Sequence, residues 1–260
     1  MHIVKHPFIP DLSMQKKKEL KIEKRQVQHN DYQKEFETFS ANTQVSARFI
    51  GYYAELHRQA QLPENLEALN QNPRFWLDYR YMTLESAFIA FGRIFGSPED
   101  KFGNESHCID RLMICAKRTD FFSSENLRKR KIKDSPNHAE WLEEYMCKAH
   151  ILGAGDWLEM QKYVDEIKRL WSRVKPIRNK IYAHAEVLDN EKKEAYLREI
   201  SPTKLLELSS HLQILERILR QAEQNGAKPD YSFCSLFSFE IAKGELKGLL
   251  ELIKRARVSL

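Results

Sequence analysis

Only nine glycines and nine prolines punctuate the 260 residues of this chain. Long helices need few breakers, whereas a fold of many short strands needs turn residues every ten or so positions. The scarcity of punctuation predicts an all-α protein. A chain of this length can build one substantial core with helical extensions. Hydrophobic residues make up 42% and charged residues 30%, which fits a globular protein with a strongly charged surface.

Apolar spacing divides the chain into helices. Residues 1–35 form a charged arm or helix with Lys16, Lys17, Lys18, Lys21, Lys24 and Arg25. A helical pattern begins near Glu37 and includes Phe49, Tyr52, Tyr53 and Leu56. A long helix is predicted over 74–95, ended by Gly96-Ser97-Pro98. Further helices are expected over 107–117 and around Trp141, Leu142, Tyr145 and Met146. Asp156 is the expected N-cap of the next one. Ser201-Pro202 opens another, which Asn225-Gly226 closes. A last helix spans about 237–257, placed to pack on the bundle or on a partner. This gives one helical domain over 36–225, with a C-terminal helical extension over 226–260.

The net charge of +5 and pI near 8.9 permit a polyanionic partner without requiring one. Cys108, Cys115, Cys147 and Cys234 form no C-x-x-C pair, so reduced thiols are expected. The N-terminus lacks the apolar core of a signal peptide. No stretch approaches the roughly 18 apolar residues of a membrane span. The expected location is the cytoplasm, with no membrane partner.

One helix breaks its own pattern. Met160, Val164, Ile167, Trp171 and Val174 recur in alternating steps of four and three, an apolar stripe made for packing. Pro176 should kink or restart this helix. If the register survives, the next position on the stripe is Arg178. A charge on a core-facing stripe is costly unless it is paired or the face opens into a cleft. His184 lies at the edge of the same face. It stands about 9 Å further along the axis and roughly 120° around from Arg178.

Arg178-Asn179-x-x-x-x-His184 resembles the R-x(4–6)-H motif of the HEPN superfamily. The segment IRNKIYAHAE is most similar to the abortive-infection branch, and the FGRIFG ending of helix 74–95 resembles the helix that precedes the motif there. The resemblance implies an antiparallel helical bundle with additional N- and C-terminal helices. It implies a homodimer whose arginines and histidines share a cleft, and metal-independent RNA cleavage that leaves a 2′,3′-cyclic phosphate and a 5′-hydroxyl. It also implies a role in phage defence or as a toxin, with an antitoxin or regulatory protein as a further partner. No cofactor and no metal are implied. Glu186 stands where some family toxins carry a modifiable tyrosine, so that mode of control is not expected.

The residue types suit such chemistry. The RNA 2′-hydroxyl is an internal nucleophile, so proximity comes with the substrate. An imidazole exchanges protons near neutral pH, which assigns proton transfer to His184. A guanidinium offers paired donors to charge growing on phosphoryl oxygens, which assigns that role to Arg178. Asn179 is an auxiliary polar contact, and Tyr182 is placed to stack on a base or to serve as a core tyrosine.

A second feature is the basic run Arg128, Lys129, Arg130, Lys131, Ile132, Lys133. It reads either as a solvated helix end or as an RNA backbone contact whose affinity falls with salt. His107, Cys108, Cys115, Cys147 and His150 make a poor zinc set, because His107 and Cys108 point apart. The alternative to a ribonuclease is a non-catalytic helical module that binds RNA or protein, with Arg178 locked to an acidic side chain inside the bundle.

Overall fold

A computed structural model describes residues 29–97, 106–118, 120–135, 137, 140–179, 201–232 and 237–258. The described residues contain helices and no strand. In chain order these are α1 (His29–Gln59), α2 (Pro63–Asn70), α3 (Pro73–Ile94) and α4 (Ile109–Arg118). After a 3-10 turn at Asp120–Phe122 come α5 (Ser124–Asp134), α6 (Leu142–Lys148), α7 (Ala154–Arg178), α8 (Pro202–Asn225) and α9 (Phe237–Val258).

The long helix α1 is the centre of the bundle, packed by α3, α8, α9 and α4. Its described part runs from His29, earlier than the expected start near Glu37, and so enters the segment read as a charged arm. The reason is burial. Tyr32 is 0% exposed and Glu35 is 2% exposed. Tyr32 sits among the rings of Phe36, Phe121 and Phe122. Tyr32, Phe36 and Phe39, all buried, recur in steps of four and three, a helical period that lies among charged neighbours.

The C-terminal helix packs on the bundle. Ala242, Leu246 and Leu250 are buried, and α9 lies along α1. Gly51 permits that approach. A Cβ there would stand 2.9 Å from Ala242 Cβ and 3.2 Å from Phe239 Cα, which only a glycine avoids without moving α9.

Helix ends follow local chemistry with one correction. Asn72 caps α3 by accepting the Phe75 N–H at 3.3 Å, with Pro73 at the first position. Gly226 ends α8 in the left-handed region, at φ 52°. Asp156, expected as an N-cap, is instead in the first turn of α7. Its Oδ2 accepts the Gly153 N–H at 2.8 Å, and Gly153 is the capping position. The carboxylate therefore satisfies the start of the helix from inside rather than from its edge.

The stripe on α7 is buried as its spacing predicts. Met160, Val164 and Ile167 are 0% exposed, Trp171 6% and Val174 5%. The helix also continues through Pro176 to Arg178, so the expected restart does not occur at the proline.

Candidate functional site

Arg178 occupies the position that the stripe reaches after Val174. Above it the stripe is sealed by aromatics. Trp171 stacks on Phe95 of the α3 end, with centroids 5.0 Å apart and an interplanar angle of 11°. It also meets Phe91 at 5.8 Å. These contacts hold the last turn of α7 against the last turns of α3.

Gly92 makes the space beside them. A Cβ at that position would lie 3.1 Å from Arg178 Nη2, 3.7 Å from Cζ and 3.8 Å from Nε. The guanidinium is therefore laid over a bare stretch of α3 backbone. A glycine inside a helix is unfavourable by roughly 0.5–1 kcal/mol relative to alanine, so its use here reflects the room it leaves for the arginine.

Arg178 is half-buried. Its one hydrogen bond among the described residues runs from Nη1 to Asn179 Oδ1, at 3.1 Å. No carboxylate of the described residues pairs with it. The locked, acid-paired arginine that a purely structural role needs is not found among them. Asn179 retains helical angles, φ −65° and ψ −41°, and donates its N–H to the Lys175 and Pro176 carbonyls. The two motif residues thus lie side by side at the end of α7, with the amide oxygen orienting the guanidinium. His184 and Tyr182 lie outside the described residues.

The basic run forms α5, capped by Ser123, whose Oγ accepts the Asn126 N–H at 3.2 Å. Most of its cations have intramolecular partners. Arg128 pairs with Glu143, and that hydrogen bond raises the guanidinium above its ordinary pKa and lowers the carboxylate below its own. Lys129 pairs with Glu125 at 2.6 Å. Lys131 reaches Asn225 Oδ1 at 3.1 Å and lies 5.0 Å from the Tyr145 ring centroid. Arg130 turns inward. It donates to the carbonyls of Phe121 and Glu223, at 3.1 and 2.7 Å, and lies over the Phe121 ring. Burial pushes its pKa below the usual arginine value. Lys133 is exposed. The run therefore ties α5 to α6, α8 and the 3-10 turn.

Cys108 and Cys115 are buried and Cys147 is exposed, all as free thiols. Burial raises the Cys108 pKa, which makes it a small apolar side chain rather than a nucleophile. Among the described residues no group of three or more His, Cys, Asp or Glu is placed to hold a metal ion. None of the described helices is long and apolar enough to cross a membrane.

Two features of the structure escape sequence reading. Gly92 carries a faint signal, as a glycine inside an otherwise apolar helix. The pairing of Glu35 with His107, at 2.9 Å, joins residues far apart in the chain and carries none.

A Gly92→Ala variant is expected to keep or slightly gain stability, through helix propensity, while the new methyl displaces the guanidinium by a few tenths of an ångström. On the reading below, RNA cleavage drops about tenfold, since a displacement of ~1 Å costs up to ~10²-fold. Thermal melting and cleavage rates measured on one preparation check both halves.

A family model described as HEPN_AbiU2, AbiU2, matches residues 30–229. No curated protein and no solved structure matches the chain. The match takes in the helices from α1 to α8, including the Gly92–Arg178 contact and the motif at the end of α7. The protein belongs to this family, and so to the abortive-infection branch of the HEPN superfamily.

Proposed function

We propose that the protein is an endoribonuclease of HEPN type, acting in phage defence or as a toxin and cleaving RNA by 2′-hydroxyl attack on phosphate. The observation that carries this reading is a half-buried guanidinium with no acidic partner among the described residues, seated on a glycine and oriented by an amide. Such a group is available to a phosphate oxyanion, and its two terminal nitrogens can engage two oxygens at once. In this reading Arg178 stabilises charge on the phosphoryl oxygens and Asn179 holds the guanidinium and contacts phosphate or ribose. His184 transfers a proton. The chemistry belongs to these side chains and to the substrate's own nucleophile, so no cofactor is needed. An antitoxin or regulatory protein is a further expected partner.

The proposed working unit is a homodimer. Phe75, Met82 and Ile89 of α3 are 44%, 54% and 50% exposed and recur every seven residues, so they form one row on the helix. Ile89 is three residues from Gly92, hence its neighbour on the helix surface. A second copy seated along this row comes up to the Arg178 guanidinium. Sedimentation of the full chain should give a dimer, and Ile89→Glu should shift it to monomer. A parent that sediments only as monomer removes the shared cleft.

The test of the activity is direct. Purified full-length protein is incubated with RNA in the presence of a chelator, and the products are examined for 2′,3′-cyclic phosphate ends. Cleavage by the parent, lost in Arg178→Ala and in His184→Ala, supports the reading. Equal cleavage by all three overturns it. Tight RNA binding without any cleavage would favour the binding-module alternative.

A further inference from the structure

A pocket of about 340 Å³ lies between the first half of α1 and the last turns of α8. That volume suits a small organic ligand. The two helices run antiparallel here, since Ser40 meets Glu216 and Phe36 meets Arg220. Gln33, Glu37, Ser40 and Gln44 recur in steps of four and three, so α1 presents a polar row to the cavity. Arg220 and Glu223 face it from α8. We propose that this pocket binds a small organic cation rich in N–H donors, an aliphatic diamine or guanidino-amine, held between the carboxylates of Glu37 and Glu223.

The pocket's own cation is already engaged. Arg220 Nη2 donates to Glu216 Oε1 at 2.7 Å and to Ser40 Oγ at 3.1 Å. The same Glu216 oxygen accepts from Ser40 Oγ at 2.6 Å. The guanidinium also lies over the Phe36 ring, 5.1 Å from its centroid. Glu216 is buried. This pair therefore closes one wall of the pocket and cancels its own charge.

The acids are not engaged in the same way. Glu37 accepts from Gln33 Nε2 at 3.2 Å and has no ion pair among the described residues. Glu223 is half-buried, and its carboxylate has neither a hydrogen bond nor an ion pair among them. Burial raises its pKa, against the opposing charges of Arg130 and Arg220. Tyr32, on the same wall, is 0% exposed, and its hydroxyl has no hydrogen-bond partner. Buried polar groups are normally paired. A carboxylate only accepts, so what this wall lacks is donors, and a ligand with N–H groups supplies them.

The balance of charge selects against other ligands. A phosphate would meet two acids without ion pairs and a guanidinium that Glu216 already holds. A metal ion needs several oxygen ligands close together, and no group of three or more His, Cys, Asp or Glu among the described residues is placed to hold one. The net charge of +5 opposes non-specific adsorption of cations. A saturable response to an amine therefore reports a specific site.

The pocket is separate from the Arg178 site. The Tyr163 hydroxyl of α7 lies 2.8 Å from His211 Nδ1 of α8, and the His150 N–H, just before α7, reaches the Gly226 carbonyl at 2.7 Å. The two helices therefore run in opposite directions. Arg178 lies beyond Tyr163 on one side of that contact and Arg220 beyond His211 on the other, so roughly 35 Å of helix separates them. A ligand here bridges α1 to α8 and stabilises the folded bundle without touching the Arg178 guanidinium.

The experiment is calorimetric titration of the full chain with putrescine, agmatine and AMP at constant ionic strength, with melting curves on the same samples. Putrescine or agmatine should bind saturably and raise the melting temperature. Glu223→Gln keeps the shape of the side chain and removes its charge. It should weaken binding about 10–100-fold, as expected for loss of a hydrogen bond to a charged group. Glu37→Gln should weaken it as well. Glu166→Gln, at an exposed acid of α7, should leave binding unchanged. Absence of saturable binding by both amines overturns the proposal, as does binding by Glu223→Gln or Glu37→Gln equal to that of the parent. Binding of AMP that is lost in Arg220→Gln would make this an anion site and overturns it too. If Glu223→Gln does not fold, Glu37→Gln decides in its place. No RNA is cleaved in this measurement, so its outcome is independent of the ribonuclease reading.

Discussion

Replacing Arg178 with alanine is expected to lower RNA cleavage by about 10²–10³-fold, the usual effect of removing one preorganised donor from a developing oxyanion, while the melting temperature changes little. The asymmetry follows from the contacts. The guanidinium's described hydrogen bond is to its chain neighbour Asn179, and its other close approach is to the empty side of Gly92. Removing it breaks no ion pair between described helices and leaves no described carboxylate unpaired. Arg178→Lys should recover only part of the rate, because an ammonium is a point charge without the planar fork. Single-turnover cleavage of a short labelled RNA in chelator, with melting curves on the same samples, measures both. Parental cleavage by Arg178→Ala would reduce Arg178 to a cation at a helix end. A large loss of stability would instead make it a packing residue.

Phe91→Ala should have the largest effect on stability, a loss of about 3–5 kcal/mol. Phe91 is 0% exposed. Its ring meets Phe88, Phe95 and Trp171, at centroid distances of 6.3, 6.4 and 5.8 Å. It is thus one link between α3 and α7, beside the Phe95–Trp171 stack. Removing it leaves a cavity lined by rings that cannot collapse into it without moving either helix. The next residue is Gly92, so the displacement reaches the guanidinium as well. Denaturant unfolding should show a lower midpoint with the slope retained. Leu158→Ala, on α7 but 59% exposed, should be nearly neutral. A Phe91→Ala midpoint equal to that of Leu158→Ala would mean that the α3–α7 contact is not cohesive.

Much of the fold was legible because helices are local. The stripe from Met160 to Val174 could be read as spacing alone, and each of its members is buried. The ends at Ser201-Pro202 and Asn225-Gly226 are legible because capping is decided within one turn. The start of α1 is carried by the steps from Tyr32 to Phe36 and Phe39, but what encloses it is not legible. Tyr32 and Glu35 are enclosed by the 3-10 turn, by His107 and by Arg111 of α4, all far along the chain. The same limit applied to the basic run. Five cations in six residues look like an open surface, yet Glu143, Asn225 and the carbonyls of Phe121 and Glu223 take up three of them.

The candidate site divides in the same way. The sequence by itself determined the helical class, the apolar face of α7 and the arrival of Arg178 on that face, since each depends only on residue type and a period of 3.6. Tertiary structure alone decided that a glycine from α3 lies beneath the guanidinium, and that a glutamate from α1 holds His107. Those facts depend on which helices meet and at what height. Periodicity says which way a side chain faces, but only packing says what it faces.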